Sequence, residues 1–220
     1  MKELSSIFIS RKIHPSSVIR HFTDEYGHQL HDVSLIEFTS VGFHLPKTDW
    51  LFFYSQQGVK HFFTQIDPSR IKNKKIICFG NKTAESCSRF TDVFASANAS
   101  VDRALELIDK IPIGDQITFI CGAHSLRSVH QKIKDTPVNE CIVYSQSLKS
   151  VRINNDYDFA LLTSPMNVES FFKNEGGAKN YVAIGSTTES ALLKYVNKVS
   201  LASQPSEEEM LHVVQQLLSI

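Results

Sequence analysis

The sequence predicts an α/β protein with internal duplication: two similar units, each with a parallel sheet. Three observations point there. Short apolar runs alternate with helix-patterned segments along the whole chain, as in parallel α/β sheets. Tyr181-Val182-Ala183-Ile184-Gly185-Ser186-Thr187-Thr188-Glu189 reads as a buried strand, a sharp turn at Gly185 and a polar helix start. Ile77-Cys78-Phe79-Gly80-Asn81-Lys82-Thr83-Ala84 repeats that order 105 residues earlier. Trp50 to Val59, followed by Phe62-Phe63, is repeated by Phe159 to Val168, followed by Phe171-Phe172, with Ser55 and Ser164 109 residues apart. Ala95-Ser96 and Ala202-Ser203 follow at 107. Self-similarity at one long period means two copies, and this period is domain-sized.

Taken in order, Ile7 to Ser10 is a strand. Ser16 or Ser17 caps a helix carrying Val18, Ile19, Phe22 and Tyr26, which Gly27 ends. Asp32 to Thr39 is strand-like. Trp50 to Tyr54 is a buried strand and Gly58 to Ile66 a helix. Lys72 to Lys75 is a basic turn, Ile76 to Phe79 a strand and Thr83 to Phe90 a helix. A short strand at Val93 precedes a helix with Val101, Ala104, Leu105, Ile108 and Ile111 on one face, stopped by Pro112 and Gly114. The second copy opens with a strand at Ile117 to Cys121 and a helix through Leu126, Val129 and Ile133. Glu140 to Gln146 and Phe159 to Leu162 are strands. Ser164-Pro165 opens a helix, with Ser as cap and Pro at its first position. Ser186 and Glu189 have capping-box spacing, ahead of the helix of Ala191, Leu192, Tyr195 and Val196. Val199 to Leu201 is the last strand. A second capping box, Ser206 to Glu209, opens the final helix of Met210, Leu211, Val214, Leu217 and Leu218.

Composition excludes several function classes. The 23 basic and 23 acidic residues of this 220-residue chain cancel, so no global field favours nucleic acid or an anionic membrane. No apolar run approaches membrane-spanning length, and the N-terminus lacks a signal-peptide core. Cys78, Cys87, Cys121 and Cys141 form no CxxC pair, and three lie in apolar runs; buried free thiols fit a reducing, cytoplasmic setting.

Familiar catalytic signatures are missing as well. Arg11-Lys12-Ile13-His14-Pro15 after the first strand is not a dinucleotide fingerprint. Gly80-Asn81-Lys82-Thr83 lacks the Gly-Lys pair of a P-loop. His14, His21, His28 and His31 cluster without a carboxylate or thiol to complete a metal set. No Gly-x-Ser-x-Gly elbow accompanies His124-Ser125.

What remains is a set of helix starts bearing hydroxyls and free N–H groups: Gly80, Asn81 and Thr83; Gly185, Ser186, Thr187 and Thr188; Ser55 and Gln56; and Ser164. Helix N-termini hold anions, and open α/β sheets bind ligands beyond the carboxyl ends of their strands. Two such units facing each other would line a cleft suited to a polyanion.

Asp49 to Val59 is similar to the family pattern Asp-x-Leu/Val-x-Phe-Thr-Ser-x-Asn-Gly-Val, and Asp158 to Val168 to its second copy. Ala183 to Leu192 is similar to Ala-Ile-Gly-x-x-Thr-Ala-x-Ala-Leu, and Ala202 to Leu211 to Ala-x-x-Pro-Ser-x-x-x-Met-Leu. Through these runs, nearly the whole chain resembles the uroporphyrinogen-III synthase family. Three places depart: Cys121-Gly122-Ala123-His124-Ser125-Leu126-Arg127 stands where the family often has Arg-Gly-Glu-x-x-Arg, Tyr54 and Gln56-Gln57 stand for Thr and x-Asn, and Glu189-Ser190 for the more typical Thr-Ala.

The resemblance implies two flavodoxin-like domains joined by two antiparallel strands, Leu35 to Val41 and Ile142 to Ser150. Residues 1–34 and 147–220 would form one domain and 35–146 the other. It implies closure of hydroxymethylbilane to uroporphyrinogen III with inversion of ring D and loss of water, without cofactor or metal. The substrate is then a linear tetrapyrrole. The protein is expected to be a cytoplasmic monomer in transient contact with hydroxymethylbilane synthase. Arg11 matches a typical arginine after the first strand, and Tyr144 the tyrosine on the returning strand, a candidate general acid. Two other readings stay open from the residues: a non-catalytic receptor or regulatory domain for a tetrapyrrole or other polyanion, and a flavodoxin-like interaction protein with no ligand.

Overall fold

The computed structural model describes residues 4–125, 127–133 and 137–219. In chain order the elements are β1 (Ser6–Ile9), α1 (Val18–Tyr26), β2 (Gln29–Asp32), β3 (Ile36–Ser40), β4 (Trp50–Phe53), α2 (Gln56–Phe63), β5 (Lys75–Cys78), α3 (Asn81–Cys87), β6 (Ala95–Ser96), α4 (Val101–Ile108) and β7 (Ile117–Gly122). They continue with β8 (Val138–Leu148), β9 (Tyr157–Leu162), α5 (Pro165–Lys173), β10 (Ala178–Ala183), α6 (Ser186–Leu192), β11 (Ser200–Leu201) and α7 (Glu207–Leu218). Two compact units result, Met1–Glu37 with Ser147–Ile220 and Phe38–Gln146. Leu35, which the sequence reading places in the other half, is fully buried against Phe8 and Phe171 in the first unit. The chain therefore passes between units after Glu37.

The first unit holds a five-stranded sheet in the order β11-β10-β9-β1-β2. All its pairings are parallel, with Ile9 beside Leu161 and Ala183 beside Leu162. The second holds the order β3-β8-β7-β4-β5-β6, parallel from β8 to β6. At its edge, Val41 N–H bonds Val143 O and Lys149 N–H bonds Leu35 O, so β3 runs antiparallel to β8.

Apolar runs form these strands because both sheet faces are covered. Leu51 and Phe53 face the cluster under α2 and α3, with Val59, Phe62 and Cys87. Trp50 and Phe52 alternate to the other face, under Ala104, Leu107 and Ile108 of α4. The first unit repeats the scheme. Phe8, Ala160 and Leu162 meet α5 and α6 through Val168, Phe171 and Leu192, while Ile7, Ile9 and Leu161 meet α1 and α7.

The duplication extends to single contacts. Ser55 Oγ accepts from Gly58 N–H at 3.1 Å and Ser164 Oγ from Asn167 N–H at 3.2 Å. Ser100 and Ser206 cap α4 and α7 with 3.2 Å bonds from Arg103 and Glu209 N–H. Phe63 stacks on Phe90 at 4.4 Å, and Phe172 on Tyr195 at 4.3 Å.

Several expectations are corrected. The run Asp32 to Thr39 is two strands, β2 and β3, in different sheets. β2 is polar because it is an edge strand, and Asp32 there takes Lys12, Arg20 and the Ile13 N–H. The expected helix through Val129 and Ile133 is a 3-10 turn at His130–Lys132; Leu126 lies outside the described residues. Arg127 has a left-handed φ of 52°, and Tyr54 Oη accepts the N–H groups of Val129 and His130 that would begin a helix. Ser186 is the first residue of α6 rather than its cap: Gly185 holds that position and no side chain caps the helix. The second capping box is half formed, because the Glu209 carboxylate bonds Ser203 Oγ instead of returning to Ser206.

Candidate functional site

In each unit the expected residues gather where strands end and helices begin. In the second unit, β4 leads through Tyr54 to Ser55, whose extended backbone (φ −154°, ψ 161°) aims its hydroxyl back at the first turn of α2. Tyr144 Oη lies 3.4 Å from Ser55 Oγ. These two expected residues are thus brought together. The Tyr144 ring covers Gly122, across a register shift between β7 and β8. His61 stacks on it at 5.4 Å, and Phe38 packs at 5.8 Å.

The next helix start, Gly80, is extended (φ −132°) and α3 has no side-chain cap. Asn81 turns its amide oxygen to Ser96 Oγ at 2.7 Å, tying α3 to β6. Thr83 is buried. Gln56 is exposed on a groove of about 340 Å³ between α2 and α3, shared with Lys60, Phe63, Arg89 and Phe90.

The first unit offers the matching edge. Ser164 caps α5. Beside it, Thr163 N–H bonds Ser10 Oγ at 3.0 Å, and Asn167 Nδ2 bonds Thr163 Oγ1 at 3.0 Å. The first bond joins the ends of β1 and β9, where the strand order reverses, and the second ties the end of β9 to α5. Gly185 is extended (φ −169°), and a Cβ there would meet nothing within 4 Å. Ser186 and Thr187 lie beside it at the surface, whereas Thr188 is 2% exposed and faces the core. Arg11 is engaged: its Nη2 is 2.7 Å from Glu207 Oε1, while Ser17 Oγ donates to Glu207 Oε2 at 2.6 Å.

Sequence reasoning missed a charged cluster behind β7. Arg127 Nε donates to both Glu140 oxygens at 2.9 and 3.0 Å. The Cys121 thiol donates to Glu140 Oε1 at 3.2 Å. The Arg127 bonds hold the Glu140 carboxyl below its usual range. Burial, then Glu140, pushes the Cys121 thiol up to about 12, so it stays protonated and unreactive. Burial likewise lowers His130 and raises Tyr54. The departure from the family pattern at Cys121 to Arg127 was the available signal; the partner Glu140 is distant in sequence.

All four cysteines are free and buried. Among the described residues, no group of three or more His, Cys, Asp or Glu side chains is placed to hold a metal ion. No helix among them is long and apolar enough to cross a membrane.

The family model described as Uroporphyrinogen-III synthase HemD matches residues 19–212. Among solved structures, uroporphyrinogen-III synthetase from Helicobacter pylori is similar, with a TM-score of 0.73 and 15% identity over 98% of this chain and 100% of that one. A mutant uroporphyrinogen III synthase from Thermus thermophilus is similar at a TM-score of 0.56, with 12% identity over 98% of this chain and 99% of the other. At such identities these two likenesses speak for the fold. No curated protein matches the sequence. Because the family model covers well over half of its length, the chain belongs to the uroporphyrinogen-III synthase family.

Proposed function

We propose that the chain catalyses cyclisation of hydroxymethylbilane to uroporphyrinogen III, with inversion of ring D and release of one water. The observation that carries this reading is the family match over residues 19–212. The helix starts support it. Ser55 and Ser164 orient the first turns of α2 and α5, and Gly80 and Gly185 leave those of α3 and α6 without side-chain caps. Each helix start stabilises one substrate carboxylate by about 0.3–1 kcal/mol. Within each unit two such starts can hold carboxylates of a flexible polyacid without a basic surface, in keeping with the balanced charge. Ser186 and Thr187 add hydroxyl donors, as does Gln56 its amide. Asn81 and Thr83 act by shaping the start of α3. Arg11 joins the substrate only by leaving Glu207.

Holding the bilane with its two ends together is catalysis by orientation. As the C–O bond of the hydroxymethyl group breaks, Tyr144 Oη gives its proton to the departing oxygen and water leaves. The substituted carbon of ring D attacks the resulting azafulvene, and the spiro intermediate opens and recombines. The proton shed when the last ring regains aromaticity restores the phenol, so the proton account closes. Thr188, in the first turn of α6 with its side chain turned to the core, supports the site through packing.

The same reading has a cytoplasmic monomer receiving its labile substrate from hydroxymethylbilane synthase, without metal or cofactor. A coupled assay with porphobilinogen deaminase tests the function. Type III product above the spontaneous type I background is expected. Protection from melting without product would make the chain a receptor, and neither effect would leave it an interaction protein.

A further inference from the structure

His61 is an odd residue for its place. It lies in α2 with 6% of its surface exposed, inside the apolar face that also buries Val59 and Phe62. An apolar residue would fill this space without burying two ring nitrogens. One nitrogen is satisfied: Nδ1 is 2.7 Å from Ser40 Oγ on β3. The other, Nε2, is buried without a hydrogen-bond partner among the described residues. A group left so needs a reason. Among the described residues, the ring's one further directed contact is the stack on Tyr144, with centroids 5.4 Å apart and planes at 27°.

The contacts form a chain. Ser40 Oγ fixes the rotation of the imidazole about its own axis, which a phenyl group here would lack. The imidazole plane then fixes the tilt of the Tyr144 ring. Gly122 closes another side: a Cβ there would fall 2.5 Å from Tyr144 Cζ, so the ring lies directly on the backbone of β7. Phe38 limits a third side at 5.8 Å. Among these neighbours the phenol points toward Ser55 Oγ, 3.4 Å away at the start of α2. Burial, then Lys60, lowers the His61 pKa, so the ring in this stack is the neutral form.

We propose that His61, held by Ser40, is a positioning residue that fixes the Tyr144 phenol at the N-terminus of α2. The inference rests on Tyr144 being the proton donor of the proposed reaction. His61 touches no reacting atom; it sets the orientation of the group that does.

The test compares His61→Ala, His61→Phe, Ser40→Ala, Tyr144→Phe and the double variant His61→Ala/Tyr144→Phe in the coupled assay. His61→Ala removes both the tether and the stack, and should lower kcat for type III product by no more than Tyr144→Phe does, while KM stays within about twofold. His61→Phe keeps the stack, and should recover most of that loss. Ser40 is exposed, so Ser40→Ala folds even where His61→Ala does not, and it should lower kcat by about threefold. The double variant should be no slower than Tyr144→Phe, because the histidine acts through the tyrosine. A slow Tyr144→Phe beside His61→Ala and Ser40→Ala at parental kcat overturns the positioning role alone. A Tyr144→Phe at parental kcat overturns the acid role and the positioning role together. A rise in KM without loss of kcat in His61→Ala would make the residue a support for binding and overturn it too.

Discussion

Gly122 and Tyr144 share one volume: the tyrosine ring occupies the place where a side chain at 122 would be, 2.5 Å from the missing Cβ. Gly122→Ala must therefore push Tyr144 or bend the end of β7. Overpacking of this kind costs about 1–3 kcal/mol. We expect a lower thermal midpoint and, in the molecules that fold, a kcat loss at least as large as that of Tyr144→Phe. Coupled kinetics and a melting curve on the same preparation check it. An unaltered midpoint would mean that the ring has room to move away.

Ser55→Ala and Ser164→Ala remove equivalent helix caps. Each should lower stability by about 1 kcal/mol, read from denaturant midpoints. Both variants should keep turning over, because the anion-binding groups at a helix start are main-chain N–H groups that remain. Abolished turnover in a folded Ser55→Ala protein would show that the hydroxyl itself does chemistry.

Thr188→Met should harm the protein more than Tyr144→Phe. Thr188 is 2% exposed in the first turn of α6, beneath Gly185. A longer side chain there overpacks the core by about 1–3 kcal/mol and shifts the first-turn N–H groups. Tyr144→Phe keeps the ring, its stack on His61 and its fit over Gly122, so a modest rate loss at an unchanged midpoint is expected. Thr83→Met tests the equivalent position in the other unit, since Thr83 is likewise buried. Midpoints and type III rates measured side by side decide the order.

Acid should destabilise the fold in two stages. His61 has a folded pKa below its ordinary value, chiefly from burial. Between the two values only the unfolded chain binds the proton, so stability falls as pH drops below about 6.5. Glu140 is lowered by Arg127, so its contribution is complete above the ordinary glutamate range and is lost as pH falls through the lower folded value. Melting midpoints from about pH 7.5 to about pH 5.5 should therefore decline. His61→Phe should decline less steeply over that range, and an identical slope would mean that His61 is free to protonate in the fold.

The features legible in the sequence were those fixed locally. β4 and β9 announce themselves because both of their faces are covered, which leaves apolar runs at Trp50 to Phe53 and Phe159 to Leu162. Ser55, Ser164 and Gly27 are read from capping and turn chemistry that acts within a few residues. β2 was lost because Gln29 to Asp32 is polar, and an edge strand satisfies its side chains in ways periodicity does not show. The segment after β7 read as a helix because Val129 and Ile133 have the right spacing, but the hydroxyl of Tyr54 takes the N–H groups that a helix needs. The inward face of Thr188 was available in its spacing of four from Leu192, the other buried residue of α6. The stack of His61 on Tyr144 was not available, because nothing in either neighbourhood refers to the other.

The order of the two units along the chain bears on how the protein is made. Phe38–Gln146 is contiguous, so its whole sheet, β3 to β8, leaves the ribosome before β9 does. The first unit must wait: β1 emerges early, yet its neighbour β9 follows more than a hundred residues later. Until then Ile7 and Ile9 lack the strand that completes their sheet, and this opening segment is the one exposed to proteases or chaperones during translation. Nascent chains halted so that Gln146 has just cleared the ribosome should show a protected middle and a cleavable segment before it. Equal protection of both would mean that β1 and β2 find an interim shelter on the ribosome.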